Sequence, residues 1–87
     1  MKVKAFPTFE ISVRSLNPDM QQRVDEAISE MENAASLQQL TSVLKMKNSQ
    51  YYRKRIGDYR LLFEWQKKEQ QIVLYKIELR KEVYKKR

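Results

Sequence analysis

The stretch Tyr51-Tyr52-Arg53-Lys54-Arg55-Ile56-Gly57-Asp58-Tyr59-Arg60-Leu61-Leu62-Phe63-Glu64-Trp65 decides the fold. Its first six residues are rich in strand formers. After the turn, Tyr59, Leu61, Phe63 and Trp65 recur with the period of two that marks a half-buried strand. Between the two runs lies Gly57-Asp58, which holds the single glycine of the chain, so the stretch predicts a β-hairpin. Alternation sends Arg60, Leu62 and Glu64 to the face opposite Tyr59, Leu61, Phe63 and Trp65. Downstream, Lys67-Lys68-Glu69-Gln70 reads as a polar turn and Gln71 to Ile77 as another apolar strand. Glu78 to Arg87 is a charged tail, expected to be helical, with Leu79 and Val83 on one side.

Upstream the period changes from two to that of a helix. Asn17-Pro18-Asp19 is a helix start: Asn17 can cap, Pro18 suits the first helical position, and Asp19 meets the positive end of the dipole. Met20, Val24, Ala27, Ile28 and Met31 then form one apolar face of a helix running to about Ala34, with Asp25, Glu26, Glu30 and Glu32 outside. Before it, Thr8 can cap a shorter helix carrying Phe9, Val13 and Leu16, and the two make an αα-hairpin. Lys2 to Phe6 alternates as a short strand that Pro7 ends, because proline cannot donate to the ladder. Residues 36–47 stay open between further helical turns and a tether leading into a strand.

The resulting order is strand, helix, helix, three strands and a tail. The economical solution is one α+β domain over residues 1–87, with the αα-hairpin packed on one face of a small antiparallel sheet and the other face left open.

Composition narrows the function. With 87 residues there is room for a single core. The 41% apolar and 33% charged content fits a folded soluble chain. The longest apolar run, Ile72-Val73-Leu74-Tyr75, is too short for a membrane span or a signal-peptide core. Cysteine and histidine are absent, which excludes thiolate chemistry, a Ser-His-Asp triad and a His-based zinc site. Residues 1–42 carry four bases against six acids, whereas residues 43–87 carry fourteen against five. The whole excess of +7 therefore belongs to the second half, and such a surface favours polyanions through counterion release.

The open face collects Arg60 and part of the Tyr51-to-Arg55 run. In a helical tail, Arg80 and Tyr84 are four apart and share one side. Arginine forks grip phosphate and tyrosine rings stack on bases. Each arginine taken singly has a plainer reading, as the partner of Glu64, Asp58 or Glu78. Taken together, the set permits RNA cleavage by the neighbouring 2′-OH. That reaction needs in-line orientation, charge neutralisation at phosphorus and two proton transfers. Without histidine, the proton steps fall to lysine, glutamate or tyrosine, and no metal or other cofactor is required.

The run from Tyr52 to Phe63 resembles the central signature of the RelE/ParE toxin superfamily, a YRxRxGDYRxxY/F stretch spanning a hairpin. Leu79-Arg80-Lys81-Glu82-Val83-Tyr84 is similar to that family's terminal HRxxVY signature, and Leu16-Asn17-Pro18 to its L-x-P helix start. The resemblance covers nearly the whole chain, and its hairpin signature is the more specific. It implies two helices on a curved antiparallel sheet and a cytoplasmic toxin of a type II toxin–antitoxin pair. In the RelE-like branch such a toxin enters the ribosomal A site and cleaves mRNA. In the ParE-like branch it poisons DNA gyrase instead.

The resemblance also assigns roles. Arg60 matches the arginine that holds the scissile phosphate, Arg80 the one that stabilises charge, and Tyr84 the tyrosine that stacks on a base or aids proton transfer. Arg53, Lys54, Arg55, Tyr51 and Lys81 are the expected RNA-binding residues, although strand alternation can turn Lys54 to the other face. Leu79 stands where many relatives have His or Lys, and Tyr51 where some nucleases of the family have a basic residue. The expected partners are the ribosome with its mRNA and an acidic, partly disordered antitoxin, with no membrane. Beside the nuclease reading stand a gyrase inhibitor and a plain RNA-binding module.

Overall fold

The computed structural model describes residues 1–79. Strand β1 (Lys2–Ala5) leads into helices α1 (Pro7–Arg14) and α2 (Pro18–Asn33), followed by β2 (Val43–Lys45), β3 (Tyr51–Ile56), β4 (Tyr59–Gln66) and β5 (Gln71–Leu79). The five strands form one sheet in the order β1-β5-β4-β3-β2. The helices cover one face, as the apolar stripes require.

Helix α2 begins as its sequence dictates. Asn17 Oδ1 accepts from the Met20 backbone N–H at 2.8 Å, with Pro18 at the first turn. Helix α1 starts two residues earlier than a Thr8 cap would place it. Pro7 opens the helix, and Phe6 occupies the cap position without a side-chain bond. The Thr8 hydroxyl instead donates to the Tyr75 carbonyl at 2.7 Å. Ser12, one turn on, accepts from the Ile77 N–H at 3.1 Å. These two α1 side chains serve the β5 edge where β1, paired only as far as Leu74, has run out. Gln21 closes the helical hairpin by donating to the Val13 and Leu16 carbonyls.

Residues 36–47 resolve as a tether into a strand: a 3₁₀ turn at Leu37–Gln39, then the short edge strand β2. The β3–β4 hairpin turns through Gly57 at φ +59°, a left-handed conformation that favours glycine. In one respect the sheet differs from the antiparallel expectation, because β1 pairs with β5 in parallel. The link from β1 to the rest of the sheet passes over the helices. No tight hairpin sets its direction, and a parallel edge becomes possible.

Phe63, Leu61, Ile72 and Leu74 from the sheet meet Val24 and Met31 from α2 in a nearly solvent-free core, joined by Phe9, Leu16, Met20, Ala27, Ile56 and Ile77. Truncating Phe63 there would cost about 3–5 kcal/mol. The sheet is thereby fixed against the helices, and its far face is presented as a rigid surface.

Candidate nucleic-acid interface

The register of the three central strands assembles this face. Arg55 lies opposite Arg60, Arg53 opposite Leu62, and Tyr51 opposite Glu64. Across the next ladder Arg60 faces Glu78, and Leu62 faces Lys76. On the parallel edge, Lys2 and Lys4 alternate with Val3, which packs on the core, and so lie on the same face. Leu62 and Val73 are buried between these polar groups, outside the main core, and form a small apolar floor.

On this face Arg60 is largely enclosed, with its side chain 18% exposed. Its Nε donates to Glu78 Oε2 at 2.8 Å, and Lys76 Nζ lies 3.3 Å from Glu78 Oε1. Glu78 thus holds two cations side by side and relieves the repulsion between Arg60 and the facing Arg55. Among the described residues, no side chain occupies the terminal nitrogens of Arg60. The fork that would grip a phosphate is therefore not consumed by Glu78.

Lys54 is placed differently from the other expected RNA-binding residues. It sits on the helix-covered face, 5% exposed. Its ammonium donates to the Thr41 carbonyl at 2.7 Å and to the Thr41 hydroxyl at 3.3 Å, and it pairs with Glu30 at 3.1 Å. All three N–H groups are engaged, so Lys54 clamps the tether before β2 onto α2 and contributes no charge to the open face. The physical reason is the strand period: Arg53 and Arg55 face one way and Lys54 the other. Burial pushes the Glu30 carboxyl up. The Lys54 hydrogen bond, the Thr41 N–H, the Lys54 charge and the Thr41 hydroxyl outweigh it, so Glu30 titrates below its ordinary 4.5.

Arg53, Arg55 and Tyr51 do lie on the open face with Arg60. Arg80, Lys81, Tyr84 and the expected helical tail lie outside the described residues. Three residues of this face escaped the sequence reading. Between Leu62 and Phe63 the β4–β5 register shifts, so Lys76 faces Leu62 while Leu74 faces Phe63. Tyr75, already on the open side by alternation from Ile72 and Leu74, is the extra residue of a β-bulge, which brings Lys76 to that side beside it. There the Tyr75 ring meets Tyr51, with centroids 5.6 Å apart, and Phe6, edge-on at 6.0 Å. The signal was present in the parity of the buried positions, which runs even at Ile72 and Leu74 and odd at Ile77.

Among the described residues no helix is long and apolar enough to cross a membrane, and no three Asp or Glu side chains gather as metal ligands. No protein-family model and no curated protein matches the chain. Solved structures do. The RelB–RelE antitoxin–toxin complex from Methanococcus jannaschii matches at 25% identity and TM-score 0.79, over 95% of this chain and 96% of that one. The archaeal RelE–RelB complex from Pyrococcus horikoshii matches at 24% identity and TM-score 0.77, over 91% and 93%. A YoeB/ParE toxin from Agrobacterium tumefaciens matches at 14% and 0.65, over 91% and 98%. Two helices laid on a mixed five-stranded sheet, with the hairpin arginines on the side away from the helices, make this chain a RelE-like protein in fold.

Proposed function

We propose that the chain is the toxin of a type II toxin–antitoxin pair and acts as a ribosome-dependent mRNA endonuclease. The observation that carries this reading is Arg60. It stands on the sheet face away from the helices, braced among the described residues by Glu78 through Nε, with Arg53, Arg55 and Lys76 around it. An incoming phosphate can occupy the remaining fork of Arg60. Held there, its charge is neutralised as the neighbouring 2′-OH attacks phosphorus and the 5′ oxygen leaves. Attack proceeds without a metal. Arg80 is proposed to share the charge stabilisation, and Tyr84 to stack on a base or assist a proton transfer, by their match to the terminal signature. Arg53, Arg55, Tyr51 and Lys81 hold the RNA.

The proposed partners follow from the same likeness: the A site of the ribosome with its mRNA, and an acidic, partly disordered antitoxin. RelE–RelB complexes among the structural neighbours support the second. Complex formation should change the protease protection of residues 78–87, and unchanged protection would remove the tail from the interface.

Primer extension on mRNA after induction is the test of cleavage. Cuts that require translation are expected, and intact transcripts in growth-arrested cells would reject the reading. One departure favours a second reading, gyrase inhibition in the ParE manner: Tyr51 and Leu79 stand where some nucleases of the family carry proton-transferring or basic residues. That reading expects DNA damage and an arrest that Arg60→Ala does not lift.

A further inference from the structure

We propose that Tyr51, Tyr75 and Phe6 form a stacking platform for a base of single-stranded RNA, beside the phosphate site at Arg60. The inference rests on the RNA-cleaving reading above and assigns the open face a base-contacting subsite of its own.

Three observations converge. The first is the bulge in β5. Without it Tyr75 would still face the open side by alternation from Leu74, but Lys76 would point at the helices. With it, both stand on the open face. The second is the aromatic arrangement itself. Tyr51 from β3, Tyr75 from β5 and Phe6 from the end of β1 form a row of three rings across the sheet, tilted 33° at one contact and 87° at the other. The row is not core: Phe6 is 42% exposed, and none of the three belongs to the buried cluster under the helices. A packing role alone does not account for a phenylalanine left in solvent at the rim of a basic surface.

The third observation is charge. Lys76 Nζ lies 5.8 Å from the centre of the Tyr75 ring, and Lys4 and Arg53 flank the row on β1 and β3. Glu64, opposite Tyr51, is the acid on this part of the face. Rings interleaved with cations suit a single strand, because every base has a π-face and every nucleotide a phosphate. Along β3, Tyr51 is four residues from Arg55, the register partner of Arg60, so the row stands about 13 Å from the phosphate site. That spacing assigns it to a neighbouring nucleotide, not the one being cut.

Fluorescence anisotropy on the full chain, with short 2′-O-methyl single-stranded RNAs that cannot be cleaved, tests the platform. Each RNA is compared with versions carrying one abasic nucleotide, scanned along its length. Tyr75→Ala should weaken binding roughly tenfold, and Phe6→Ala, outside the core, by less. Tyr75→Phe should bind as the parent does. At one abasic position the parent should lose the same affinity, and Tyr75→Ala should then cost nothing more. The platform is overturned if the parent does not bind these RNAs, or if both alanine variants bind as the parent does. It is equally overturned if the Tyr75→Ala loss is the same on intact and on every abasic RNA. Cleavage of mRNA in cells is read separately. Abasic coupling without cleavage would leave the platform and remove the nuclease, while cleavage without coupling would do the reverse.

Discussion

Lys54 and Arg60 sit on neighbouring strands of one hairpin, each a largely enclosed cation bonded to a glutamate, yet they face opposite sides of the sheet. Lys54 spends all of its donors on Thr41 and Glu30 beneath the helices. Among the described residues, Arg60 gives one donor to Glu78 and keeps its fork. The difference teaches how the same ingredients yield a clamp on one face and a candidate ligand site on the other. A saturated ammonium in a closed setting has nothing left to offer. A guanidinium held by one nitrogen is oriented and still able to accept a phosphate.

The sharpest way to break this contrast is Arg60→Ala. Loss of a preorganised charge at the scissile phosphate should lower mRNA cleavage by a hundredfold or more. Stability should hardly change, because Glu78 keeps Lys76 as a partner. Primer extension together with a thermal melt reads both, and retained cleavage would strip Arg60 of its role.

Lys54→Met probes the other side. Removing one partner of an enclosed ion pair costs about 3–5 kcal/mol when both charges are buried. Glu30 is a third exposed and can be rehydrated, so roughly 2 kcal/mol is expected here. Urea unfolding measures it. The folded variant should still cut mRNA, and a specific loss of cleavage at unchanged stability would place Lys54 in the site after all.

Glu78→Gln sharpens the comparison at smaller scale. It removes a negative charge from the open face and loosens the hold on Arg60. Single-stranded RNA should bind more tightly at low salt, with a log–log salt slope steeper by about 0.7. Anisotropy across a salt series checks this, and a weaker or unchanged affinity would mean that Glu78 orients Arg60 more than it competes for it.

The smallest effect is acid sensitivity at the clamp. The Glu30 carboxyl titrates below 4.5 in the folded chain, so its contribution is complete above that value and fades as pH falls through the lower folded value. Partial exposure screens the pair, which limits the contribution to under about 1 kcal/mol. Urea midpoints between pH 3 and 6 should therefore fall less steeply in Glu30→Gln than in the parent. Parallel curves would show that the pair adds nothing to stability.

Much of this protein is legible from local pattern. Helix α2 follows from Asn17-Pro18-Asp19 and its apolar stripe, since capping and periodicity act within a few residues. The β3–β4 hairpin follows from Gly57 and the flanking alternation, and that alternation alone carries Arg60 to the side away from the helices. The carboxylate that would pair with Arg60 was open among Glu64, Asp58 and Glu78 until the β4–β5 register selected Glu78. The Thr8 cap failed for a similar reason: the hydroxyl finds a better acceptor on β5, a residue 67 positions away.

The sequence by itself determined where the helices and the hairpin form and which hairpin side chains share a face, because those are matters of period, caps and turn chemistry over short spans. Only the tertiary structure decided that β1 runs parallel to β5, that Lys54 closes on Thr41 and Glu30, that the bulge at Tyr75 turns Lys76 to the open side, and that Tyr51, Tyr75 and Phe6 meet there. Each of these depends on which distant backbone and side-chain groups remain to be satisfied once the core has packed, and local pattern does not carry that information.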